Sequence, residues 1–597
     1  MPFTLRPMQL TAPDWAIILA YFAISLGIGI LFSRRAGKSH VEFFASGRSL
    51  PWWIAGTSMV ATTFAADTPL AVTGLVAKNG LAGNWFWWAF ALGGMLTVFV
   101  FAKLWRRAEV LTDVELIELR YSGPAARFLR GFRGIYIAVV MNSIIIGWVT
   151  KAMASVLKQT VLTDMPKNAS TDFWLVAGML AATGVYSVLS GMWGVAITDM
   201  VQFVLAITGC TILAVVAVQH VGGTEALKQK VAANFEGGAH AFDFIPDFWA
   251  TDPSLPIGVF LVMIFCQWWA TWYPGNEPGG GGYIVQRMAS CKDERHAVKA
   301  TLWFQLAHYC LRPWPWILVA FAAIAMFPEL RAAEDPGIGF PMVMRELAPA
   351  GLRGLLLVTF FAAFMSTIST QMNWGASYLV NDVYKRFLRP EAAEKELMRA
   401  SRGASALVLF LGGIAGFVMA VEHVSVDDAW KFLAALGAGV GGVFILRWFW
   451  WRINAWSEIA AMVASIAFFW WMQRYPWKEE YRQIAVAGCS IGFWLLVTFL
   501  TRPEREETLV SFYRKVRPDG PGWGRVAGLA ADVRPDGTLG RSLACVLLGT
   551  AIVWCVLPGV GALIFGEWTR GALCLSGAAA CGIGLFRLIP SPRAGAG

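Results

Sequence analysis

Long apolar runs, separated by short basic or Gly- and Pro-rich stretches, recur along the whole chain. A run near 20 residues spans a bilayer when helical, so each predicts a membrane helix. About fifteen spans are predicted, over 14–32, 51–78, 84–104, 133–158, 171–190, 193–219, 255–275, 298–327, 354–380, 402–421, 428–447, 453–473, 484–500, 541–562 and 567–587. Two of them cannot run as regular helices. The second holds Asp67-Thr68-Pro69 inside an apolar run, and the seventh ends in Pro274, Gly275, Pro278 and the glycines at 279–282. Pro and Gly end or kink helices, and a broken span frees backbone carbonyls at membrane depth. Paired breaks in corresponding halves point to a transporter built from inverted repeats around a mid-membrane site. For either break alone, a kink satisfied by neighbouring helices is the alternative.

Polar positions inside the spans narrow the chemistry. The run 360–385, FFAAFMSTISTQMNWGASYLVNDVYK, carries Ser366, Thr367, Ser369 and Thr370 within five positions. Unpaired polar groups are costly in hydrocarbon, and a cluster of neutral oxygens suits an alkali cation. Hydroxyls bonding back to a carbonyl one turn earlier are the competing explanation. Gln305, His308 and Arg312 share one helix face in the eighth span, where a buried Arg demands a partner. That partner is Asp67, a freed backbone end or a solute carboxylate. Trp268, Trp269, Trp272 and Tyr273 approach the second break and could stack on a solute, or simply pack. Asp67 and Thr68 stand at the first break, where Asp67 could also cap the half-helix that Pro69 begins.

Composition agrees with the spans. Apolar residues make up 57% of 597 positions, charged residues 15%, and Trp occurs 30 times, a balance that excludes a soluble globular domain. The net charge of +10 comes from basic residues between spans, which fits loops facing anionic lipid and not a nucleic-acid partner. Arg34, Arg35, Lys38 and Arg48, then Arg106, Arg107, Arg120, Arg127 and Arg130, then Arg287, Lys292 and Arg295 fill alternate loops. The positive-inside rule therefore predicts an outside N-terminus and a cytoplasmic C-terminus in the cytoplasmic membrane. The nine Cys lie mostly in apolar segments without a CxxC pair and are read as packing residues. The first residues lack a signal-peptide pattern, so the first span is expected to be retained. Residues 501–540 are charged, rich in Pro and Gly, and repeat Val-Arg-Pro-Asp at 516–519 and 533–536. They are read as a cytoplasmic linker too small for its own core.

Several stretches resemble the sodium:solute symporter family, which includes bacterial proline, sialic acid and sugar symporters. They are FFASGRSLPWWIAGTSMVAT at 43–62, DVELIELRYSG at 113–123, GVAITDMVQF at 194–203, YIVQRMASCK at 283–292 and FMSTISTQMNWGASYLVNDVYKR at 364–386, in the family's order. The resemblance implies an all-α membrane protein with a LeuT-like inverted-repeat core of ten helices. One extra helix and its loop would precede it over 1–50, with repeats over 51–220 and 255–447. Further spans would follow over 448–500, then the linker, then two terminal spans over 541–597.

The resemblance also implies site residues. The main sodium site would use the carbonyls of Ala61, Phe64 and Ala363 with the hydroxyls of Ser366 and Thr367. A second would use Asp199, Ser366, Ser369 and Thr370, giving two sodium ions per cycle. Asp199 alternatively favours a helix N-terminus through the dipole. Sugar-transporting members carry a Lys where the nearest residue here is His308, and a Gln in the tenth core helix, where 428–447 has none. Those departures leave the solute open among sugars, amino acids and organic acids. The expected function is sodium-coupled symport, with sodium as the coupling ion and no cofactor. An intramembrane enzyme would need clustered His, Asp or Glu, which six scattered His do not provide. A transporter-like sensor would need a signalling partner for 501–540. The expected partners are the bilayer, sodium and a small solute, and the oligomeric state stays open.

Overall fold

The computed structural model describes residues 7–589, apart from 167, 236–237, 250–254, 270–278, 423–429, 431–436, 438 and 534. The described residues are helices and connections, with one isolated bridge between Leu50 and Cys291. Eleven helices among them are long and apolar enough to cross a membrane.

After α1 (Ala12–Ala36) the first break divides α2 (Trp52–Thr62) from α3 (Thr68–Asn79). Pro69 sits in the first turn of α3, where its missing N–H costs no helical bond. Next come α4 (Leu81–Ala108), α5 (Gly123–Thr160) and α6 (Ala169–Val221). The last holds two predicted spans joined at Gly191, whose φ of +55° kinks the chain as a side-chain-bearing residue seldom can. The second break lies between α7 (Ile257–Phe265) and α8 (Gly282–Ser290). The glycines 279–282 lead into α8, and Gly279, Gly280 and Gly282 all have positive φ. Then follow α9 (Glu294–Met326), α10 (Leu352–Leu388), α11 (Glu394–Val421) and α12 (Gly441–Phe449). The chain continues through α13 (Ala455–Met472), α14 (Glu479–Leu500), α15 (Glu506–Val516), α16 (Leu539–Ile564) and α17 (Trp568–Leu588).

Small residues divide these helices into two packed groups. In the first, called the bundle here, α2 lies so close to α9 that a Cβ on Gly56 would stand 2.5 Å from the Ala300 carbonyl. Helices α3, α4 and α8 join them. In the second, the scaffold, α5, α6, α10 and α11 pack together, and Gly412 of α11 seats the Ile146 side chain of α5. Such close approach is how membrane helices associate without a hydrophobic drive between them. The bundle lies against α6 and α10.

The basic loops gather at one end. There His40 bonds Glu394 at 2.9 Å, Arg107 bonds Glu294 at 2.9 Å, and Arg130 links Glu118 and Asp382 at 2.8 and 2.7 Å. Burial alone would raise the Glu118 carboxyl, but the hydrogen bonds and charges of Arg386 and Arg130 hold it below the usual range. Every residue of α8, which leads to this end, is buried. One charge counted among the loops belongs elsewhere: Arg287 is inside α8 and fully buried.

Candidate functional site

The site forms where the broken end of α2 meets the hydroxyl-rich stretch of α10. Thr367 Oγ1 donates at 3.1 Å to the Ala363 carbonyl one turn back and lies 3.1 Å from the Thr62 carbonyl on α2. The local back-bond is therefore present, but the same hydroxyl also reaches across to the break. Ala61 and Phe64 lie at that end, 3% and 1% exposed, and the Phe64 N–H tightens the last turn onto the Ala61 carbonyl at 3.0 Å. Thr367 and Ala363 thus meet the broken end of α2 at Thr62, the residue after Ala61.

Ser366 turns to the adjoining cluster. Its Oγ donates to Asp199 Oδ1 at 2.6 Å, and Ser58 donates to Oδ2 at 2.5 Å. Asp199 lies eight positions beyond the Gly191 break and is fully buried, away from any exposed helix start. Ser369 bonds back to the Ser366 carbonyl at 3.0 Å. Thr370 meets Thr62 Oγ1 at 3.1 Å. Threaded among these groups is the Arg287 guanidinium. It donates to Thr370 Oγ1 at 2.7 Å and Ser58 Oγ at 2.8 Å, and lies 3.5 Å from Asp199 Oδ2. Sequence reasoning missed Arg287, Ser58 and Thr62. The available signal was the motif YIVQR, an Arg in an apolar segment just beyond a break.

On the other side of the break, Asp67 is 1% exposed and accepts the Trp430 indole N–H at 3.0 Å. It makes no side-chain cap on α3, and its Oδ1 has no hydrogen-bond partner among the described residues. Arg312 instead serves the end of α2, donating to Thr63 Oγ1 at 3.0 Å and reaching the Val60 carbonyl at 3.4 Å. It also contacts the His308 ring at 2.5 Å, and His308 meets Thr63 Oγ1 at 3.2 Å. Asp67 and Arg312 thus hydrogen-bond to different groups, yet stand close enough for their charges to act on each other. Gln305 is buried against Gly94 of α4, and Thr68 reaches back to the Thr63 carbonyl at 3.5 Å. Phe86 stacks with Trp430, and Trp87 meets His308 edge-on. Trp268 and Trp269 pack edge to face at 5.6 Å, while Trp272 and Tyr273 lie outside the described residues.

A family model described as the sodium:solute symporter family matches residues 43–466. The chain belongs to the sodium:solute symporter family. Among curated proteins it is 27% identical to sodium/glucose cotransporter 4 of Danio rerio, over 76% of this chain and 71% of that protein. It is 24% identical to the sodium/glucose cotransporter of Vibrio parahaemolyticus, over 76% of this chain and 84% of the relative. Among solved structures, a sodium-coupled sialic acid symporter in a substrate-bound outward-open state aligns with a TM-score of 0.64 and 20% identity. That alignment covers 83% of this chain and all of the other. The LeuT-like all-helical fold expected from the sequence is thereby established. This family member is a multi-pass membrane protein of sodium-coupled solute symport and not an enzyme.

The nearness of Asp67 and Arg312 carries a prediction. Asp67→Asn and Arg312→Gln should each lower solute uptake, and because the two charges act on each other the double variant should lose less than the sum of the two. Losses that simply add, measured in proteoliposomes, would mean that the two charges act independently.

Proposed function

We propose that this protein imports a small polar organic solute across the cytoplasmic membrane by alternating access, driven by sodium entry. The basic end would face the cytoplasm. The observation that carries the reading is the reach of Thr367 from α10 to the Thr62 carbonyl, which joins scaffold to bundle through oxygen ligands at the break. A sodium ion held by Thr367 and the carbonyls of Ala61, Phe64 and Ala363, with the Ser366 hydroxyl turning to it from Asp199, would strengthen that junction and favour the state closed at the basic end. Its release would let the groups part. Each charge moved inward gains about 2.3 kcal/mol per 100 mV, enough for one ion to support substantial accumulation.

In this reading the solute lies beside Asp67, Thr68, His308, Arg312 and the Phe86–Trp430 stack. Relatives named for glucose and mannose transport make a hydroxyl-rich solute one class to test first, with amino acids and organic acids beside it. The test is uptake of labelled glucose, mannose, proline and lactate into proteoliposomes with inward sodium or potassium gradients. Accumulation in sodium and not in potassium is the expected result; equal accumulation in both would defeat the reading.

Stoichiometry follows from Arg287. Its guanidinium supplies a positive charge to the cluster of Asp199, Ser366 and Thr370, and a sodium ion there would have to share the carboxylate with it. We therefore assign the driving ion to the main site and expect a Hill slope near one for sodium activation. A slope near two that falls to one in Asp199→Asn would place a second ion beside Arg287 and overturn this assignment.

A further inference from the structure

Residues 501–541 fall beyond the family match, and both copies of Val-Arg-Pro-Asp there converge on one lysine. Lys103, near the basic end of α4, has its Nζ 3.8 Å from Asp519 Oδ2 and 3.4 Å from Asp536 Oδ2. The repeat was the one feature of this segment without a role in the sequence. Its two carboxylates now share a cation on the bundle.

The segment also holds α12, which packs on Trp105 of α4 and is tied to the scaffold through its Arg447. Trp523 is 1% exposed and donates its indole N–H to the Trp448 carbonyl at 2.7 Å. Gly522 accepts from the Trp451 N–H at 3.2 Å and lies so close to Phe449 that a Cβ would meet its carbonyl at 2.0 Å. Arg120 lies 4.9 Å from the Trp523 ring and donates to the Arg447 carbonyl at 2.9 Å. Arg447 reaches Glu458 at 3.4 Å, and Glu458 reaches Arg133 of α5 at 3.3 Å, so this flank is continuous with the scaffold.

The other flank belongs to the bundle. Asp536 accepts from Arg107 at 2.8 Å, and Thr538 accepts from Lys103 at 2.8 Å. Burial would raise the Asp536 carboxyl, but hydrogen bonds and charges from Arg107 and Lys103 hold it below its usual value. Helix α16, which follows, packs on α4 and α9, with Gly549 against Met95 and Gly561 against Trp314. Between the flanks stands Asp519. Its Oδ1 accepts the Gly537 N–H at 3.0 Å, and its Oδ2 accepts the N–H and hydroxyl of Thr538 at 3.1 and 3.2 Å.

We propose that residues 501–538 form a clasp across the seam between scaffold and bundle at the basic end, and that Asp519 is the positioning residue that sets how readily that end opens. The proposal rests on the alternating-access reading above, because opening there requires the two groups to part. Exposed or half-exposed ion pairs are worth little singly, but Asp519 joins two amides, a hydroxyl and a cation at 7% exposure. Removing it loosens the closed state and leaves the sodium ligands in place.

The test uses the full chain in proteoliposomes with a reporter cysteine at Asn373. That residue sits on α10 and accepts from Gln286 of α8 across the seam at 2.9 Å. In Asp519→Ala, maleimide labelling of Asn373→Cys and the sodium concentration for half-maximal uptake should each rise about 3- to 10-fold. Asp519→Asn, which keeps an acceptor for the amides, should fall between. Buried Cys210 of α6 should stay unlabelled. Unchanged labelling at position 373 would overturn the clasp, as would labelling of Cys210 in step with it, which would signify lost packing. Labelling is read with and without sodium. If wild-type uptake ignores sodium while the Asp519→Ala labelling difference persists, the symport reading fails and the clasp stands.

Discussion

Replacing Ser366 and Thr367 together by alanine is expected to abolish sodium-driven uptake while the protein still reaches the membrane. Thr367 is the hydroxyl that spans from α10 to the broken end of α2, and Ser366 stands one position before it. A lost oxygen ligand to a charged group removes about 1.5–3 kcal/mol, or roughly 10- to 150-fold in sodium affinity for each hydroxyl. The helix backbone bonds remain in both variants, but Ser366→Ala also removes a hydrogen bond to buried Asp199, so the Thr367→Ala single variant is the cleaner test of the main site. Uptake measured against sodium concentration in the single and double variants checks this. Normal sodium activation in the double variant would remove the main site from this location.

The second large effect concerns Arg287. The variant Arg287→Gln leaves Asp199 buried without its cation, and breaking a buried pair in this way typically costs about 3–5 kcal/mol. Against a total stability of about 5–15 kcal/mol, that is enough to deplete the folded protein. Expression and thermal stability in detergent should fall sharply in Arg287→Gln. They should recover in part in Arg287→Gln/Asp199→Asn, where the amide can accept from one of Ser58 and Ser366 and donate to the other. Wild-type stability in the single variant would mean that the pair is not needed to neutralise the cluster. Transport by the rescued double variant then separates folding from function, since the main site keeps Thr367 and its carbonyl partners.

The breaks, the hydroxyl cluster and the buried position of Arg312 were legible in the sequence because each violates a local rule. Pro69 and the glycines at 279–282 cannot continue a helix, and four hydroxyls in an apolar run need partners. The partners themselves were less legible. Arg287 was counted with Lys292 and Arg295 among the basic loops, because it follows the Pro- and Gly-rich end of the seventh predicted span. Only the fold reveals that α8 is the second half of a broken span. Asp199 was visible as an acid beside a span, yet its contacts come from α2, α8 and α10, far away in the chain. Asp67 suggested a cap, and the structure gives its hydrogen bond to Trp430, 363 positions distant. The segment 501–540 was expected to lack a core of its own. Phe512 and Trp523 are buried against Arg120 and Trp448 outside the segment, a docking that composition cannot reveal.

The central claim is a sodium ion held between α10 and the broken end of α2, and equilibrium binding of radioactive sodium to the purified protein tests it without knowledge of the solute. Saturable binding should be displaced by unlabelled sodium and not by potassium, and it should disappear in Ser366→Ala/Thr367→Ala while the variant keeps its helical content. Equal sodium binding by the folded double variant and the wild type would contradict the account.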